Sequence, residues 1–129
     1  MQLTNAQIVS IAEAHLNLDG SPEKPFVFGS KFRYSLSKNL RLLQQHVRDL
    51  DKTRVELIRA LAPTTLKIEK DAPERGVFDA QYTVLLGELA DVPHLMHLKL
   101  SELNLAENAI PIRVLSALGP IIIEDSELS

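Results

Sequence analysis

Between about Ser30 and Leu61 the chain carries Leu36, Leu40, Leu43, Val47, Leu50, Leu57 and Leu61 at steps of 4, 3, 4, 3, 7 and 4. An alternating three–four series averages 3.5 residues per turn, the period of a helix that lays one face along a neighbour. No Gly or Pro falls inside until Pro63, so the pattern predicts one unbroken helix over about 30–61. Such a helix is about 45 Å long, longer than a compact domain of this size is wide. Either it kinks, or part of it projects and packs on another chain. Arg54 occupies the one seam position that breaks the leucine series. A guanidinium there snorkels, pairs with a carboxylate, or marks where the helix rotates away from its partner. A polar seam residue can also set register or oligomeric state.

Shorter patterns flank this helix. Thr4-Asn5-Ala6-Gln7 has the capping-box spacing, and Ile8, Ile11, Ala12, His15 and Leu16 then share one helical face. Asp19-Gly20 ends that first helix, because Gly accepts the left-handed cap geometry. Ser21 to Pro25 reads as a polar connection. Phe26-Val27-Phe28 is either a brief strand or a core anchor, with the strand favoured. Beyond Pro63, alternation in Thr65-Leu66-Lys67-Ile68-Glu69 predicts a weak strand, and Lys70 to Gly76 reads as a loop. Phe78, Tyr82, Leu85, Leu86 and Leu89 mark a further amphipathic helix with Asp79 in its first turn, closed by Pro93. Residues 95–100 alternate as a strand. Pro111 suits the first position of a last helix carrying Ile112, Leu115 and Leu118, which Gly119-Pro120 stops. Ile121-Ile122-Ile123 is a strand candidate, followed by an acidic tail over 124–129. The expected fold is therefore mostly α (α+β). A long central amphipathic helix is joined by two or three shorter helices and a small sheet of short strands near 65–69, 95–100 and 121–124, in one helix-rich domain over 1–129.

Composition narrows the function classes. At 129 residues, 45% apolar and 24% charged, the chain is long and greasy enough to bury a core. It has no cysteine, which removes disulfides, thiolate metal sites and a cysteine nucleophile. No apolar run reaches the roughly 18–20 residues of a membrane-spanning helix. Met1 to Asn5 lacks the basic stretch and long apolar core of a secretion signal. The net charge of −3 hides an asymmetry. Residues 31–61 hold eight bases against three acids, a balance of +5, leaving −8 for the remainder. Such a dipole favours association.

Candidate chemistry is sparse. His94 and His97 are three apart, a spacing metals use, but no thiolate or patterned acid accompanies them, and an isolated pair is a weak signal. The five glycines are scattered singly, so no phosphate loop exists. No serine has a nucleophile-elbow context. The expectation is no catalytic residue, no metal and no cofactor. Lys31, Arg33, Lys38, Arg41 and Arg48, with Phe32 and Tyr34 interleaved, form the one set a nucleic acid could use, by phosphate contact and base stacking. Two features oppose that reading: Phe32 and Leu36 share an apolar face, and the pI of 5.8 is low for a nucleic-acid binder.

Several short runs form a further pattern. Leu3-x-Asn5 opens the first helix, and Leu16-x-Leu18-Asp19-Gly20 closes it. Tyr34-x-Leu36-x-Lys38-Asn39 enters the long helix, with Leu50, Arg54 and Leu57 near its end. Pro111-x-x-x-Leu115-x-x-Leu118 completes the set. This pattern resembles an uncharacterised family of short tailed-bacteriophage proteins. It leaves residues 62–76 unmatched, and the His-rich, Pro93-interrupted segment 92–100 departs from it. The resemblance implies a phage-encoded protein, located in the host cytoplasm or the virion, and brings no catalytic residues. The expected function is a non-enzymatic interaction or assembly role. Its interface would be built on Leu36, Leu40, Leu43, Val47, Leu50, Arg54, Leu57 and Leu61, and its partner would be another protein, a second copy, or both. The alternatives are a small inhibitor of a host defence or replication enzyme, and a nucleic-acid binder using the basic helix.

Overall fold

A computed structural model describes residues 1–19 and 26–124. The element order is β1 (Gln2–Thr4), α1 (Asn5–Asp19), α2 (Ser30–Leu61), α3 (Pro73–Gly87), β2 (Leu89–Asp91), β3 (Leu98–Lys99), α4 (Ile112–Leu118) and β4 (Ile122–Ile123). Single 3₁₀ turns over Leu100–Leu103 and Gly119–Ile121 flank α4. The protein is mostly α with short strands, as its apolar periodicity predicts. No helix among the described residues is long and apolar enough to cross a membrane.

Both bonds of the capping box form at the start of α1. The Thr4 backbone N–H donates to Gln7 Oε1 at 2.8 Å, and the Gln7 N–H donates to Thr4 Oγ1 at 3.1 Å. The helix then buries Ile8, Ile11, Ala12, Ala14, His15 and Leu18. It lies between α2 and α4, so this one stripe contacts the core from two sides. Leu16, placed on the apolar face by its spacing, is instead half exposed. Gly20 and the 21–25 connection lie outside the described residues.

The long helix runs unbroken for 32 residues, about 48 Å. Its seam is dry only in part. Leu36, Leu43 and Leu50 are buried, Leu40 and Val47 are half-buried, and beyond Leu50 no seam residue is fully covered. Burial fades beyond the point where Asn5, at the start of α1, meets His46 of α2; farther along, α2 faces the 62–72 link and α3.

The strand expectations need correction. Among the described residues two separate two-stranded sheets form, not one. In the first, β1 pairs antiparallel with β2 in the register Gln2↔Asp91, Leu3↔Ala90 and Thr4↔Leu89. Neither strand was expected from the sequence, and Leu89 belongs to β2 rather than to the preceding helix. In the second, β3 pairs parallel with β4, Leu98↔Ile122 and Lys99↔Ile123. The expected strand over 95–100 is cut to these two residues because His94 sits at φ 68° and the polar backbone of Met96 is engaged by a side chain. Ile121 belongs to a 3₁₀ turn and is fully buried. The segment 65–69 is no strand. Leu66 has φ 55° and donates its N–H back to the Ala62 carbonyl, which destroys the alternation. Phe26 to Phe28 forms no strand; Phe28 packs on Phe32 with ring centroids 4.8 Å apart and serves as a core anchor. Lys70 to Gly76 is not all loop, since Pro73 opens α3 with Glu74 in its first turn. Asp79 therefore falls past the first turn, where it pairs with Arg75 at 3.0 Å.

Three buried asparagines hold the irregular segments. Asn39 Oδ1 accepts from the Met96 N–H at 2.7 Å, while its Nδ2 donates to the Met96 carbonyl at 2.9 Å. Asn108 does the same for Val27, at 2.7 and 2.9 Å. Each amide replaces a neighbouring strand, satisfying both backbone groups of a residue that would otherwise lack partners. Asn5 donates through Nδ2 to the Leu85 carbonyl at 2.7 Å and accepts from His46 Nε2 at 3.0 Å, tying α1, α2 and α3 together.

His15 completes the Asn39 cluster and is 1% exposed. Its Nδ1 lies 2.8 Å from the Ile11 carbonyl, which can only accept. Nδ1 therefore carries the proton, and Nε2 accepts from Asn39 Nδ2 at 3.3 Å. Burial pushes the imidazole below its ordinary value near 6.5, against a smaller opposing pull from the Ile11 carbonyl. The unfolded chain then binds the proton more readily than the folded one, so stability falls as pH drops below about 6.5. The slope attributable to His15 is at most about 1.4 kcal/mol per pH unit. Urea melts between pH 7.5 and 5.5 should show this decline, and His15→Gln, which keeps a neutral donor and acceptor, should flatten it. An unchanged slope in the variant would assign the decline to other groups.

Candidate interaction groove

The second half of α2, the 62–72 link and α3 enclose a groove of about 560 Å³. The link turns back because the Ala62 N–H still bonds to Ile58 and Leu66 bonds to Ala62. That reversal lays Ile68 onto α3, where it is buried beside Phe78. Phe78 and Tyr82, four residues apart on one helical face, stack with centroids 5.6 Å apart and rings 9° from parallel. The groove thus has an apolar floor of Ile58, Ile68 and Phe78. Val55 and Leu66 remain 38% and 53% exposed at its edges.

Its rim is basic. Among the described residues Arg54, Arg59, Lys67 and Arg75 line it against a single lining carboxylate, Asp79. Arg75 bonds Asp79 and also sits over the Phe78 ring at 5.7 Å. Arg54 pairs with Asp51 at 2.9 Å, and Lys67 with Glu69 at 3.4 Å. Arg59 has no carboxylate partner among the described residues. The three pairs are substantially exposed, a setting in which each is worth only about 0–1 kcal/mol. Incoming carboxylates can therefore exchange with them at little cost.

The expected interface residues divide between this groove and the core. Leu36, Leu43 and Leu50 are consumed by the protein's own packing, with Leu40 and Val47 partly so. Arg54 lines the groove; Leu57 and Leu61 lie half-buried on the same part of α2, and Leu61 borders the link. Arg54 is thus a surface residue with an i−3 carboxylate, placed where the buried seam ends.

Of the expected nucleic-acid contacts, Lys31, Arg41 and Arg48 are exposed and Lys38 is half-buried. Arg33 is also exposed, but its guanidinium is engaged by backbone, donating through Nη2 to the Phe26 carbonyl at 2.8 Å and through Nε to that of Phe28 at 3.3 Å. Phe32 is buried, so only Tyr34 of the interleaved aromatics faces solvent. His94 and His97 are exposed, and no three His, Cys, Asp or Glu side chains converge as a metal site among the described residues.

Sequence reasoning missed the groove's α3 wall. Arg75, Phe78, Asp79 and Tyr82 follow the i, i+3, i+4, i+7 pattern of one helical face, but the charged, Pro-containing run Lys70 to Gly76 reads as a loop and hides Arg75. Extending the helix back to Pro73 would have exposed the pattern. The chain was compared with protein-family models, with curated proteins and with solved structures, and none matches.

Proposed function

We propose that this protein acts by interaction rather than catalysis, holding an acidic, amphipathic segment of a protein chain in the groove between α2 and α3. The observation that carries this reading is the pairing of an apolar floor with four rim cations, one of them without a carboxylate partner among the described residues and three in exposed, weak pairs. An aliphatic anchor would fill the floor while carboxylates meet the rim, the arrangement that gives charge-steered and specific association. The resemblance to short tailed-phage proteins puts virion assembly first among such roles. A nucleic-acid reading gains less from the geometry, because Phe32 is buried, Arg33 is tied to backbone, and Phe78 and Tyr82 stack on each other.

Selecting random displayed peptides against the full chain tests this. Enriched sequences should combine Asp and Glu with one large apolar residue, and binding should weaken with added salt. Arg59→Glu, at an exposed position, should lower their affinity at least about tenfold. Enrichment of no peptide that depends on Arg59 would overturn the reading. Salt-sensitive binding of single-stranded DNA, abolished by Arg59→Glu, would replace it with the nucleic-acid alternative.

A further inference from the structure

Resting on that reading of the groove, we propose that its occupant is the acidic stretch 124–127 of a second copy of this chain. The complementarity lies within one sequence. Glu124-Asp125-Ser126-Glu127 carries three carboxylates, and Leu128 follows as an apolar anchor suited to the floor. Residues 125–128 lie outside the described residues; Glu124 is exposed immediately after β4.

Strand direction decides between the chain's own stretch and a neighbour's. Met96 is fastened to Asn39, midway along the buried part of α2. From there the chain passes through β3 to Asn104, whose Nδ2 donates to the Val27 carbonyl just before α2 begins. The path therefore runs toward the amino-terminal end of α2. Because β4 is parallel to β3, Glu124 leaves the sheet in that same direction, away from the groove. Arg59 is 20 residues beyond Asn39 along the helix, about 30 Å at 1.5 Å per residue. Fully extended, residues 124–128 reach about 17 Å. The stretch cannot fill its own molecule's groove.

Glu124 and the groove thus sit toward opposite ends of α2, and docking the stretch that Glu124 begins into a neighbour's groove joins copies head to tail. Such a heterologous contact builds chains, or rings where the rotation closes. The long helix then sets the repeat between copies.

Charge exchange in the full-length chain provides the test. One variant carries Arg59→Glu and Lys67→Glu in the groove, and the other carries Glu124→Lys, Asp125→Lys and Glu127→Lys. Arg59, Lys67 and Glu124 are exposed, so each variant should keep the parent's circular dichroism. By sedimentation at low salt, the parent should self-associate in a concentration-dependent way. Each variant alone should associate at least about tenfold more weakly, and an equimolar mixture should recover association, because each groove then meets a tail of opposite charge. A parent monomeric at every concentration, or association that survives both sets of substitutions, overturns the proposal. A fluorescent peptide of sequence 124–129 gives an independent readout: it should bind the parent and not the groove variant. If displayed acidic peptides bind through Arg59 but this peptide does not, self-docking fails while the groove keeps its role.

Discussion

Asn39→Ala is expected to destabilise the protein by about 2–4 kcal/mol in urea melts at pH 7.5, a large share of the 5–15 kcal/mol that holds a typical domain together. The side chain is fully buried and bonds three groups: the Met96 N–H, the Met96 carbonyl and His15 Nε2. Truncation deprives each of its partner, and a buried polar group left unsatisfied costs about 1–3 kcal/mol. The sum is set toward the lower end because Met96 is only half-buried, so water can replace some of what is lost. Asn39→Leu restores the packing volume without the bonds and should recover little. Asn39→Asp offers a more pointed readout. A carboxylate facing Nε2 would favour the imidazolium, raising the His15 pKa where burial now lowers it, and the acid-side loss of stability should shrink or reverse. A cost below about 1 kcal/mol for Asn39→Ala would mean the amide merely sits near Met96 without holding it.

The second large effect concerns the leucine seam and discriminates its halves. Leu43 is 0% exposed, whereas Leu57, two heptads later, is only half-buried. Leu43→Ala should cost about 3–5 kcal/mol through lost transfer energy and the cavity left behind. Leu57→Ala should cost about 1 kcal/mol or less, because part of that side chain already meets water and the gap can fill with solvent. Equal costs at both positions would mean that another surface covers the distal seam in solution. Repeating the Leu57→Ala measurement across protein concentrations would then separate cover by a second copy, which strengthens with concentration, from cover within the chain.

The seam shows how much of the molecule was legible beforehand. Its leucine spacing predicted a helix over 30–61, and α2 occupies Ser30–Leu61. It could not tell that Leu36 and Leu43 are buried in the core while Leu57 is only half-buried, because an apolar stripe specifies a face and not its partner. The groove was less legible still. Its walls come from residues 54–59 and 75–82, and its floor requires the link to fold Ile68 back between them. The basic rim was half visible as the +5 balance of residues 31–61. The outward-facing subset of those charges could not be separated from residues such as Arg33, which the fold turns onto its own backbone.

Local sequence alone determined the helices. The capping bonds between Thr4 and Gln7, the Gly- and Pro-free leucine series and Pro111 before α4 act within a few residues of themselves, so their outcome needs no distant partner. Only the tertiary structure decided the strands, the asparagine clamps and the groove. A strand of two or three residues has no internal hydrogen bonds. Residues 2–4 become β1 because residues 89–91 arrive beside them, whereas 65–69 meets helix α3 and, among the described residues, no pairing strand. The bonds of Asn39 and Asn108 span 57 and 81 positions, so which polar side chain would be buried, and against what, depended on how the helices packed.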